Sequence, residues 1–232
     1  MLIELIGPSG IGKTTVLREL AATSVGQRAD FLSYEDYVVQ RRIDTDDKHG
    51  EEPSILTLFW RYSRFVRSVM TLAFLHGPPV KRRLRKALRC ISSLGIAREM
   101  RARYPNKLIV IDNGFTQTLW SLVVESEALR GKKQIATAMT CYYELINQQG
   151  IRLLVDDEQV KARVFSRESA GRFNRNAGEV ERQAYTKWLE FFREIVALAP
   201  AGMIVAEVDG QQAPADVAAA IAHTIENLDR SL

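Results

Sequence analysis

The sequence predicts an α/β fold: a doubly wound, five-stranded, mostly parallel sheet with a helical insertion between its second and third strands. Three observations carry this reading. Five short apolar runs alternate with stretches of helical period. A glycine-rich turn follows the first run directly, and one strongly basic helical stretch interrupts the alternation. A length of 232 residues suits one domain spanning 1–232, and a hydrophobic content of 46% supports a sizeable core.

The first run, with Leu2, Ile3, Leu5 and Ile6, reads as a buried parallel strand, and Thr14 to Leu20 reads as the start of a helix. Between them lie Gly7, Pro8, Ser9, Gly10, Ile11, Gly12, Lys13, Thr14 and Thr15, which fit G-x-x-x-x-G-K-[ST], the pattern of a phosphate-binding loop or P-loop. Each residue type has a reason. Glycines allow backbone angles that turn successive N–H groups inward as a nest for phosphate oxygens. The following helix adds its open N–H groups and the positive end of its dipole. Lys13 would reach the β- and γ-phosphates, and Thr14 would place its hydroxyl on Mg²⁺. The expected cofactors are therefore ATP and Mg²⁺.

Phe31 to Ser33 is the second strand, and "DTDDKHGEEP", residues 44–53, reads as an exposed loop. Ser54 to Leu75 then reads as a long helix with Ser54 as its N-cap; Arg61, Arg64 and Arg67 fall on one side of it. "HGPP" ends that helix. A second one follows, carrying Lys81, Arg82, Arg83, Arg85, Lys86 and Arg89, so that 53–104 forms a basic helical insertion. From Pro53 to Lys107 there are thirteen Lys and Arg against one acid, Glu99. This local balance of +12 leaves −8 for the rest of a chain whose net charge is +4. Such asymmetry suggests an anionic partner for the insertion.

The third strand, Leu108 to Ile111, leads into Asp112, the pattern in which a carboxylate at a strand's carboxyl end meets Mg²⁺ or its bound water. Asn113, Gly114 and Gln117 fall on the loop or first turn facing the same cleft. Glu35 and Asp36, after the second strand, are alternative bases. The fourth strand, Ile151 to Val155, precedes a helix from about Asp157 that presents Arg163 and Arg167 at i, i+4 on one face. Arg172 and Arg175 follow among Gly, Ser and Asn. Phosphoryl transfer spreads negative charge over the migrating group, so 157–178 is a candidate lid delivering Arg163, Arg167 and Arg172. Met203 to Val208 is the fifth strand, and a last helix runs from Ala215 to about Leu228.

The two cysteines, Cys90 and Cys141, do not make a disulfide framework, the three histidines are dispersed, and a reducing cytoplasmic setting is the default. The chain enters its first strand with no basic leader and cleavage site, and no stretch of about 18 residues is free of charge. The expectation is a cytoplasmic protein, peripheral to a membrane if the insertion docks on one.

GPSGIGKTT at Gly7 to Thr15, Asp112 after the third strand, and "VDDEQVKARVFSR" resemble the thymidylate kinase-like branch of the P-loop nucleoside and nucleotide kinases. "IVAEVDGQQAPADVAAAI" resembles the terminal strand, aspartate-containing turn and closing helix of the same family. The resemblance implies the fold and the ATP half of a kinase site. The family's Asp-Arg after the third strand is here Asp112-Asn113, and its acidic-residue-then-proline element after the second strand has no counterpart in "SYEDYVV". Thymidylate is therefore not the expected acceptor.

The leading expectation is a small-molecule kinase passing the γ-phosphoryl group of ATP to a hydroxyl or a phosphate. The alternatives are a nucleotide-dependent switch or regulatory NTPase, or a kinase acting at an anionic membrane or nucleic-acid surface. Expected partners are a polar or anionic small molecule, an anionic membrane surface against the insertion, and a second copy of the chain, with nucleic acid ranked lower.

Overall fold

The computed structural model describes residues 1–37, 60–75, 80–124, 128–166 and 178–231. Five strands form one sheet: β1 (Leu2–Ile6), β2 (Phe31–Ser33), β3 (Leu108–Ile111), β4 (Gln149–Leu154) and β5 (Ile204–Asp209). Their order is β2-β3-β1-β4-β5, and every pairing is parallel rather than mostly so. The three N-terminal strands have the predicted bounds. β4 begins two residues earlier than its apolar run, because the backbones of Gln149 and Gly150 already pair with Ile3 and Glu4.

Parallel strands need crossover helices, and these cover both faces. Helix α1 (Lys13–Ala21) and α8 (Pro214–Ser231) lie on one face, where Val16, Leu17, Leu20, Val217 and Ile221 pack on Ile3 and Leu5. The other face is thicker. It carries α2 (Ser63–Leu75), α3 (Val80–Arg103), α4 (Phe115–Val123), α5 (Lys132–Ile146) and α7 (Glu179–Ala197) over Leu2, Ile6 and Ile111. Stacked rings seal this layer: Phe115 and Tyr142 have centroids 4.1 Å apart, with Phe65 against Phe115 at 5.5 Å. Helix α6 (Asp157–Phe165) starts on Asp156, whose side chain accepts from the N–H groups of Glu158 and Gln159, an N-cap with two more acids in the first turn.

The insertion is helical where it is described. Residues 60–61 are helical and lead into α2; 38–59, including the acidic loop and Ser54, lie outside the described residues, as do 76–79. Helix α3 uses several of its cations inside the protein. Buried Arg83 donates to the Leu122 carbonyl at 3.3 Å and Lys86 to the Ser121 carbonyl at 2.6 Å, satisfying the last turn of α4. Arg101 donates to the Ile146 carbonyl at the end of α5. Part of the basic run thus closes helix C-termini, where positive charge meets the negative end of the dipole.

Adjacent strands β1 and β3 send their helices, α1 and α4, to opposite faces of the sheet. A crevice opens beyond the carboxyl ends of strands at such a switch point.

Candidate active site at the β1–β3 crevice

The turn between β1 and α1 is built on left-handed glycines. Gly10 and Gly12 both have φ of 100°, a region that other residues enter only with strain. A Cβ on Gly10 would also lie 2.1 Å from Cγ2 of Val164 on α6. Gly12 starts α1 without a side-chain cap, and the first backbone bond runs from Val16 N to the Gly12 carbonyl at 3.0 Å. The earlier N–H groups of α1 therefore have no intrahelical partner, which makes the turn a ready anion site.

Lys13 is buried, and its Nζ donates to the carbonyls of Gly7 at 2.6 Å and Pro8 at 3.1 Å, and to Oε1 of Gln117 on α4 at 3.3 Å. Its ammonium is thus held across the crevice. Thr14 Oγ1 donates to Asp112 Oδ2 at 2.7 Å, joining residues 98 apart in sequence, and Asp112 is itself 3% exposed. A hydroxyl and a carboxylate oxygen at this separation are hard donors of the type that hold Mg²⁺ together with substrate phosphates and water. Among the described residues no group of three or more His, Cys, Asp or Glu is assembled for a metal.

Two further contacts brace the turn from behind. Tyr185 on α7 donates its hydroxyl to the Ser9 carbonyl, and Arg163 Nη1 donates to the carbonyls of Ile11 at 3.0 Å and Gly210 at 3.4 Å. Arg163, read from sequence as a lid arginine, thus sits on the main chain of the glycine turn. Arg167, Arg172 and the middle of the lid, 167–177, lie outside the described residues. Asp36 accepts from Ser33 Oγ at 2.6 Å and Ser33 N at 3.3 Å, while its own N–H donates to Ser33 Oγ. This reciprocal cap gives Asp36 a structural task after β2, and Glu35 beside it is exposed.

One site residue was not singled out from sequence. Glu4, in the middle of β1, is 1% exposed and faces the thick layer. Its Oε1 accepts from Thr116 N at 2.9 Å, and its Oε2 accepts from Tyr143 Oη and Gln148 Nε2, both at 2.7 Å. Thr116 is the second residue of α4, whose N-cap Gly114 has no side chain to offer, so Glu4 caps that helix from the neighbouring strand. A Cβ on Gly114 would lie 2.4 Å from Glu4 Cδ, so the glycine makes room for this carboxylate. Burial pushes the Glu4 carboxyl above the usual carboxylate range, against the lowering effect of its three donors. The available signal was an acid inside a five-residue run that is otherwise apolar.

Thiol chemistry finds no support. Both cysteines are buried, and burial pushes the Cys90 thiol up to about 12 and raises that of Cys141.

No protein-family model matches the chain. No curated protein matches it either.

Proposed function

We propose that this chain is an ATP-dependent phosphotransferase of the P-loop, thymidylate kinase-like type, passing a γ-phosphoryl group to a hydroxyl or phosphate on a polar or anionic small molecule. The observation that carries the reading is the 2.7 Å contact between Thr14 and Asp112 at the carboxyl edge of β1 and β3. It brings the two halves of the sequence pattern together at the crevice where an open α/β sheet binds ligands.

In this reading the N–H groups of Gly10 to Thr15 cradle the phosphates, with α1 presenting its positive end. Lys13 exchanges its carbonyl and Gln117 partners for phosphate oxygens and offsets charge that develops on the migrating group. Thr14 and Asp112 would hold Mg²⁺, which would neutralise phosphate charge when bound. Asp112 can instead accept the acceptor's proton, a role for which exposed Glu35 is the alternative. Asp36 is less suited, because its carboxylate already caps the turn at Ser33. The acceptor enters on the β2 and β3 side, toward the insertion.

The test is a screen of nucleosides, nucleotides and free or phosphorylated sugars with ATP-Mg²⁺, scored as acceptor-stimulated ADP release. A hit whose turnover is abolished by Lys13→Ala, with folding unchanged by circular dichroism, supports the reading. ADP release that no acceptor stimulates favours a switch-type NTPase. A Lys13→Ala protein as active as the parent overturns the nucleotide-site assignment.

A further inference from the structure

The outward face of α2 has no role in the crevice. Trp60, Arg64, Arg67, Thr71 and Phe74 recur at spacings of four and three, so they form one stripe opposite the buried Phe65, Val69 and Leu72. Trp60 is 85% exposed and Phe74 62%. Leu75 and, on the adjoining α5, Leu145 are exposed as well. Four of the six large apolar side chains exposed among the described residues therefore lie on this helix pair or, for Trp60, on the helical turn that leads into it. Between the aromatic ends runs a cleft of about 350 Å³, with Arg64, Arg67 and Thr71 on one wall and Lys133, Gln134 and Thr137 on the other. No carboxylate lines it, and no ion pair joins Arg64, Arg67 or Lys133 to a described carboxylate. Glu144, the acid on the same side of α5, is about three turns from Lys133. It lies toward the Arg64 end, where its charge and that of Arg64 both act on the Cys141 thiol, but it neither lines the cleft nor pairs with Arg64.

We propose that this face docks on an anionic phospholipid surface, with α2 lying in the plane of the interface and a lipid phosphate seated in the cleft. The composition is that of an interfacial helix: aromatic and aliphatic side chains for the acyl boundary, basic ones for the headgroups. No described helix is long and apolar enough to cross a membrane, so the contact is peripheral. Two other occupants fit less well. Nucleic acid would use the cations and the rings, but Leu75 and Leu145 offer it no stacking surface. A second copy placed by two-fold symmetry would set Arg64 and Arg67 against their own equivalents, a like-charge contact.

The experiment uses the full chain without nucleotide, so its outcome is independent of the kinase reading. Sedimentation is measured with phosphatidylcholine vesicles and with vesicles containing phosphatidylserine, at low and high salt. Emission of Trp60 is followed in parallel, since Trp120 is 4% exposed and Trp188 only partly so. Binding to the anionic vesicles alone, weakened by salt and accompanied by a blue shift that Trp60→Phe removes, is expected. Each basic residue near such a surface is worth about fivefold, so Arg64→Gln/Arg67→Gln should weaken binding about 25-fold and Arg64→Glu/Arg67→Glu further. Both sites are exposed, and unchanged circular dichroism verifies folding of each variant. Failure to bind anionic vesicles at low salt overturns the proposal. So does vesicle binding that the Arg64/Arg67 variants leave intact, because the contact then lies elsewhere. Tighter binding to single-stranded DNA or RNA than to vesicles, or self-association by ultracentrifugation that the same variants abolish, also overturns it.

Discussion

At the scale of single residues, the crevice rests on two carboxylates with different tasks. Asp112 touches Thr14 at the glycine turn, whereas Glu4 is sealed in the thick layer and acts through α4. Asp112→Asn keeps size and polarity but removes the charge; a fall of at least about two orders of magnitude in phosphoryl-transfer rate is expected, with the fold retained. A rate close to the parent's would shift the base role to Glu35. Glu4→Leu leaves three buried donors, Thr116 N, Tyr143 Oη and Gln148 Nε2, without their acceptor and is expected to cost about 3 kcal/mol or more in urea denaturation. Glu4→Gln retains one oxygen for Thr116 and should cost less. The pH dependence has a definite sign. With its carboxyl raised above the ordinary 4.5, the folded chain keeps the Glu4 proton at pH values where the unfolded chain has lost it. The stabilising contribution is thus fully present below 4.5 and is lost as pH rises through the raised value, a slope that Glu4→Gln should flatten. An unchanged stability profile in Glu4→Gln would mean that Glu4 does not titrate in this window.

At the scale of elements, the glycine turn is a joint between β1 and α1 held from outside by α6 and α7. Arg163 and Tyr185 each donate to its carbonyls, and Val164 closes on Gly10. A displacement of either helix would therefore be felt at the turn. Tyr185→Phe removes one hydroxyl donor and leaves the ring packed on Phe165. ATP should then bind about threefold to tenfold more weakly by isothermal titration, the scale of one hydrogen bond, with thermal stability little changed. Unaltered affinity would show that Tyr185 only fills space. The basic residues of α3 likewise tie one element to another. Arg83 and Lys86 look in sequence like members of one cationic run, yet they finish α4. Their removal should therefore lower stability, whereas removal of Arg64 and Arg67 should not.

At the scale of the whole molecule, what the sequence made legible was local, and what it hid was long-range. The strand–turn–helix from Leu2 to Ala21 was readable because its constraints, an apolar run and glycines at fixed offsets, lie within a few residues of one another. The contact of Asp112 with Thr14 could be anticipated only from the pattern of the turn, since the two lie 98 residues apart. The tasks of Glu4 and Arg83 were not readable, since their partners lie 112 to 144 and 39 residues away. The boundary of β4 was set by pairing with β1 rather than by hydropathy. This long-range wiring has a measurable consequence. The crevice is lined by the turn, α1, the end of β3 and α4, elements that belong to both faces of the sheet. A nucleotide bound there ties the two layers together and should raise the melting temperature of the entire chain rather than of one segment. ATP-Mg²⁺ at 100 times its dissociation constant supplies about 2.7 kcal/mol, which for a chain of this size corresponds to roughly 5–10 °C in a thermal-shift measurement. Lys13→Ala should abolish the shift, and chelation of Mg²⁺ should reduce it if Thr14 and Asp112 hold the ion. Protection against hydrogen exchange should rise at the same time in β1, β3 and the first turn of α4. A melting temperature indifferent to ATP-Mg²⁺, or protection confined to α3 and α8, would place the nucleotide outside this crevice.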